Sequence, residues 1–170
     1  RLNRVNKCEP KFSNLRPLLS VTFPQGFPKF KMFGHWTSGS GGKKTVKQSE
    51  KVDELVDKAL DKFERVDILV NNAGISMSGM SWKMELSDWM TTLNTNLTSA
   101  FLCTKSALPY MRENNWGRII NVSSVVAQTG FIGTSAYAAS KAGLYGFTKS
   151  VSKEVANKNI TVNTMSYGYM

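Results

Sequence analysis

Three short apolar runs, separated by long amphipathic segments, limit the folds open to this chain. They are Asp67-Ile68-Leu69-Val70-Asn71, Arg118-Ile119-Ile120-Asn121-Val122-Ser123 and Ile160-Thr161-Val162-Asn163-Thr164-Met165. A brief, nearly continuous apolar stretch bounded by turn residues predicts a buried strand. The intervening segments have the helical period. Val52, Leu55, Val56, Ala59, Leu60 and Phe63 line one stripe of a helix expected from about Ser49 to Arg65. Ser87 is placed to cap a second helix whose buried side is Trp89, Met90, Leu93, Leu97, Phe101, Leu102 and Leu108. A third, from about Ser135 to Asn157, carries Leu144, Phe147, Val151 and Val155. Strands alternating with helices imply an α/β fold built on a parallel sheet.

With 170 residues the chain fits one domain and can bury a core. Its charge is unevenly spread. Residues 1–47 hold ten Lys and Arg against the single Glu9, whereas residues 48–170 hold twelve basic against eleven acidic side chains. A basic head suits nucleic acid, an anionic membrane or an organelle transit peptide. Phe12, Phe23, Phe27, Phe30, Phe33 and Trp36 lie in it among Pro and Gly without helical periodicity, so no amphipathic face of a transit peptide is evident. No RNA-binding motif is present, and the reading carries no nucleic-acid partner and no membrane. Cys8 and Cys103 show no metal or disulfide spacing, and His35, alone in a loop, reads as neither ligand nor base. No metal site is expected. Thr37-Ser38-Gly39-Ser40-Gly41-Gly42-Lys43-Lys44 reads as a linker; a phosphate loop would need Ser or Thr after Lys43 and an earlier Gly at fixed spacing. The chain is therefore divided into a basic, irregular head, residues 1–45, and a body, residues 46–170.

The chemistry is concentrated in the body. Tyr137 stands four residues before Lys141, so on one helix the phenol and the ammonium are neighbours, and a nearby positive charge favours phenolate. Such a pair makes a proton donor usable near neutral pH. Ser124, at a strand end, can hydrogen-bond a substrate carbonyl oxygen, and Asn96 can support a water running to Lys141. Asn71, Asn72, Ala73 and Gly74 form a strand-end loop of small residues that permits close backbone approach, although a tight turn would explain the Gly without a ligand. A Tyr buried at a helix start, a Lys on a solvated face and a Ser at a strand end are each ordinary alone. Their combination points to carbonyl reduction.

This set resembles the short-chain dehydrogenase/reductase superfamily and, within it, 3-oxoacyl-[acyl-carrier-protein] reductases and acetoacetyl-CoA reductases. The resemblance is carried by Val66 to Ile75, Asn94-Thr95-Asn96-Leu97, Gly117 to Ser124, Tyr137 to Gly143 and Ile160 to Thr164, and runs from about Val46 to the end. It implies a Rossmann-like, doubly wound parallel sheet that is incomplete, with the first βαβ unit and the last strand missing or replaced. The family's Thr-Gly-x-x-x-Gly-x-Gly turn, which holds a pyrophosphate at a helix N-terminus, would fall at or before Arg1. Residues 1–44 resemble no part of that unit, and the family continues past Met170. The strand at Asp67 is accordingly expected to present an unpaired edge.

The resemblance also implies roles. Tyr137 is the general acid, and Lys141 lowers its pKa and binds the nicotinamide ribose. Ser124 and Tyr137 bind substrate, while Asn96 anchors the relay. Asn71, Asn72, Ala73, Gly74, Gly168 and Met170 join Tyr137 and Lys141 around the cofactor. Where the family has Pro-Gly this chain has Tyr167-Gly168, and without the fixed φ of Pro the contact near Met170 is weakened. The implied reaction reduces a 3-oxoacyl thioester of acyl-carrier protein or coenzyme A, in fatty acid biosynthesis. NADP(H) is favoured and NAD(H) is the alternative. Weak or absent turnover is expected of this chain. The second reading is a silent fragment that dimerises through its two long helices. A homo-oligomer in the cytoplasm is expected, or in a mitochondrion or plastid if the head is a targeting segment.

Overall fold

The computed structural model describes residues 19–21, 31–32 and 42–168. Cys8, His35, Met170 and most of the basic head lie outside the described residues. The element order is β1 (Leu19–Val21), β2 (Lys31–Met32), α1 (Gly42–Phe63), β3 (Ile68–Asn71), α2 (Leu86–Leu93), α3 (Ser99–Glu113), β4 (Gly117–Ser124), α4 (Val126–Thr129), α5 (Ser135–Glu154) and β5 (Ile160–Tyr167). The five strands form one sheet in the order β2-β1-β3-β4-β5. β3, β4 and β5 are parallel, joined by helical crossovers as the apolar pattern requires. This is the expected α/β fold with a parallel Rossmann-like sheet.

The pairing of β4 with β5 runs the full length of both, from Gly117 opposite Ile160 to Ser124 opposite Tyr167. α3 packs on β3 and β4, α5 on β4 and β5, and α1 on α3. Their shared core joins Val52, Val56 and Ala59 of α1 to Leu69, Ile119 and Val162 of the sheet and to Cys103, Ala107, Met111 and Val151 of the helices. The Cys103 thiol is buried there, and burial pushes its pKa up to about 12, so it packs as a small apolar group.

Four features differ from expectation. The edge of β3 is paired, because β1 lies antiparallel to it with Ser20 opposite Val70, and β2 extends the sheet through β1. Backbone N–H and C=O groups on a strand edge need partners, and an antiparallel segment from the head supplies them whatever its side chains. α1 begins at Gly42, inside the stretch that reads as a linker. No Pro interrupts residues 42–63, so the helix extends to the last Gly. Ser87 lies in the first turn of α2, with Glu85 at the capping position and no side-chain cap. Asp88 in that turn complements the helix dipole instead.

The fourth difference matters most for the site. The helix expected from Ser87 onward is broken by a π-helical turn, Asn94–Thr98, between α2 and α3. The wider turn admits an extra residue and rotates the faces on either side relative to each other. One continuous stripe therefore cannot stay buried. Met90 and Phe101 are 45% and 47% exposed, while Leu102 is buried. Gly143 of α5 meets this turn closely, since a Cβ there would fall 2.7 Å from Leu97 Cδ2.

Candidate active site

Asn96 stands in the middle of the π turn with its amide turned inward, where it is 2% exposed. Its Oδ1 accepts from the Ile75 N–H at 2.8 Å and its Nδ2 donates to the Ile75 carbonyl at 2.9 Å. A side-chain amide here imitates a strand neighbour and fixes the loop that follows β3. The second Nδ2 proton goes to Ser140 Oγ at 2.9 Å, and Ser140 in turn donates to the Tyr137 carbonyl at 2.8 Å. Asn96 thus couples the β3 loop to the first turns of α5. Asn94, its neighbour in the motif, instead accepts from Thr98 at 3.3 Å.

α5 carries Tyr137 and Lys141 one turn apart. Lys141 is 4% exposed, and its Nζ donates to the Val122 carbonyl of β4 at 2.7 Å, with the Tyr137 ring centroid 5.9 Å away. Burial lowers its pKa from 10.5 to about 8. An ammonium has three protons, and the bond to Val122 uses one. Gly74 lies directly beside it: a Cβ at Gly74 would sit 3.2 Å from Nζ and 3.7 Å from Asn96 Oδ1. This glycine keeps space open over the ammonium.

Ser124 ends β4, half-buried, and its Oγ accepts from the Val126 N–H at 3.2 Å, so its own proton is free to reach another acceptor. Ser123, adjacent and buried, donates to the Lys141 carbonyl at 2.8 Å and so ties β4 to α5. The carboxyl ends of parallel strands are where α/β sheets bind ligands, and the described site lies there.

Of the loop residues, Asn72 and Gly74 are exposed and Ala73 half-buried, whereas Asn71 is turned into the sheet. Asn71 Nδ2 donates to Asn121 Oδ1 at 2.7 Å and to Thr104 Oγ1 at 3.2 Å. Asn121 continues to Thr148 Oγ1 at 2.8 Å, which also accepts from Thr164 at 2.8 Å. The side chain of Asn71 is engaged in joining strands and is 4% exposed; its Oδ1 is buried without a partner. The register shows why. Asn71, Asn121 and Thr164 stand directly opposite one another on neighbouring strands. Gly168 follows β5 and is exposed, with nothing within 4 Å of a Cβ placed there.

Ser140, Asn121 and Thr148 were not among the residues singled out from the sequence. The first could have been found from its position three residues after Tyr137, which puts it on the same side of α5. The other two become visible only once strand register is known.

Could these residues hold a nicotinamide nucleotide? The buried ammonium, with protons beyond the one given to Val122 and a glycine beside it, suits a diol, which offers oxygen acceptors and needs close approach. Among the described residues no helix is long and apolar enough to cross a membrane.

A sequence profile described as short chain dehydrogenase matches residues 41–170. A 3-oxoacyl-[acyl-carrier-protein] reductase of Synechocystis sp. is 45% identical over 125 residues, covering 74% of this chain and 51% of that protein. An acetoacetyl-CoA reductase of Cupriavidus necator is 46% identical over 114 residues, 67% of this chain and 46% of its own length. Nodulation protein G of Rhizobium sp. is 46% identical over 121 residues, 71% and 49% of the two chains. The chain spans about half the length of the curated relatives it matches.

Proposed function

The chain belongs to the short chain dehydrogenase family of nicotinamide-dependent oxidoreductases, and from that premise we propose that its site serves the reduction of a 3-oxoacyl thioester to the 3-hydroxyacyl form. The observation that carries the reading is the buried Lys141 ammonium, held between the Val122 carbonyl, the Tyr137 ring and Gly74. The substrate is a thioester of acyl-carrier protein or coenzyme A, as the names of the relatives suggest. NADP(H) is the preferred cofactor, with NAD(H) second.

A reduced nicotinamide, when bound, would supply a hydride to the carbonyl carbon. The remaining steps belong to the chain. The Ser124 hydroxyl, positioned by the Val126 N–H, donates to the carbonyl oxygen and draws charge onto it. Tyr137 gives its phenolic proton to that oxygen as negative charge develops, and Lys141 stabilises the phenolate left behind. Asn96, through Ser140, keeps the start of α5 in register with the β3 loop. Asn72, Ala73 and Gly74 offer backbone and open space for the ribose and nicotinamide.

Tryptophan fluorescence titrated with NADPH, together with acetoacetyl-CoA turnover, tests this. Tyr137→Phe should keep NADPH binding and lose turnover by at least about a hundredfold, the scale of a general acid. Turnover untouched by that change would overturn the assignment. The second reading, a silent self-associating chain, draws on Phe101, 47% exposed on α3 and packed edge-on against Phe147 of α5 with centroids 6.3 Å apart. A dimer that binds no NADPH in the same titration would favour it.

A further inference from the structure

Tyr145 lies one turn beyond Lys141 on α5, and none of the chemistry above uses it. Its hydroxyl accepts from Gln128 Nε2 at 2.9 Å and shares a short hydrogen bond with Ser166 Oγ. One partner follows Ser124 along the chain and the other stands on the neighbouring strand. Gln128 belongs to α4, the turn of helix that starts two residues after Ser124, and Ser166 lies on β5 directly opposite Ser123.

The backbone closes the circuit. The Val125 N–H donates to the Tyr167 carbonyl at 2.9 Å, and the Gln128 N–H donates to the Val125 carbonyl at 2.9 Å. A ring of contacts therefore passes from Tyr145 to Gln128, through α4 to Val125, across to Tyr167, back to Ser166 and again to Tyr145. Inside it the Val126 N–H fixes the Ser124 hydroxyl at 3.2 Å. Tyr167 lacks the pyrrolidine ring by which a Pro would lock φ, so the end of β5 relies on such contacts for its direction.

We infer that Tyr145 is a positioning residue, whose hydroxyl clasps α4 to the end of β5 and so holds the turn that aims Ser124. The inference rests on the reading of Ser124 as the group that meets the substrate carbonyl. The Ser166 bond also lowers the Tyr145 phenol below its ordinary pKa, as expected of a hydroxyl whose oxygen is well served by donors.

Tyr145→Phe keeps the ring and removes the oxygen, and Ser166→Ala removes one partner. Amide hydrogen exchange reads the turn without any substrate, so its outcome is separate from that of the reductase reading. In either variant the Val125 and Val126 amides should exchange about fivefold faster, the scale of one lost hydrogen bond, and the double variant should add little more. Ser166→Thr, which keeps a hydroxyl, should restore protection. Unchanged exchange at both amides overturns the inference, as does failure of Ser166→Thr to restore it. A rise shared by Leu69 and Ile119 in the core overturns it too, since Tyr145 would then contribute general stability. In turnover, Tyr145→Phe should lower kcat with KM little changed; a KM effect alone counts against positioning of Ser124.

Discussion

The two faces of the β3-β4-β5 sheet draw on the same apolar runs and meet different surroundings. On one face Leu69, Ile119 and Val162 stand in register and are each at most 5% exposed beneath the helices. On the other, Ile68, Val70 and Ile120 are half-buried, and Thr161, Asn163 and Met165 are exposed. The face beneath the helices also carries the polar line Asn71-Asn121-Thr164 toward the site, where every rung but Asn71 Oδ1 has a partner. Stability and site alignment are thus invested in one side of the sheet.

The sharpest way to break this comparison is Ile119→Ala. Ile119 is 0% exposed and packs within the shared core, so its loss should cost about 4 kcal/mol in denaturant unfolding. A cost near that of an exposed site would mean that the helices do not close over the sheet as described.

The strands, the helices that cross between them and the Tyr137–Lys141 pair were legible because each is a local pattern: an apolar run, a period, a four-residue spacing. The half-open sheet was not. Ile68-Leu69-Val70 and Ile119-Ile120 are apolar at every position and read as buried on both sides, and only the placement of α1, α3 and α5 shows which side is covered. The π turn was hidden for a related reason, since Asn94 to Thr98 satisfy a helical pattern equally well before and after one residue is added. Its consequence is chemical, because it brings the Asn96 amide to Ile75. β1 was illegible because it pairs through backbone groups that every residue but Pro possesses. The sequence groups Asn71 with a loop of small residues and does not show that register turns its side chain toward Asn121.

A second test asks what it costs to keep a charge between α5 and β4. Burial brings Lys141 to about 8, against 10.5 for the ordinary side chain. Below about pH 8 both folded and unfolded chains hold the proton, and this residue gives no slope. Between the two values the unfolded chain holds a proton that the folded chain has released, so stability rises with pH, by about 3 kcal/mol over the whole window. The difference in unfolding free energy between the wild type and Lys141→Met, measured at about pH 7 and about pH 10, should show that rise. A difference independent of pH would mean that Nζ is better solvated than its contact with Val122 suggests.

The smallest effect belongs to Ile120, beside Ile119 in sequence and on the opposite face. The two residues have the same side chain, sit in the same strand and pair with neighbouring residues of β3 and β5, so propensity and backbone bonding are matched. Ile120→Ala should cost about 1 kcal/mol, because a half-buried side chain leaves a dent open to water rather than an enclosed cavity. The ratio of the two costs, measured in the same denaturant series, reads the asymmetry of the sheet directly. Equal costs would show that something covers the second face in solution, most simply another part of this chain or a second copy of it, and the strands would then be buried on both sides as their composition implies.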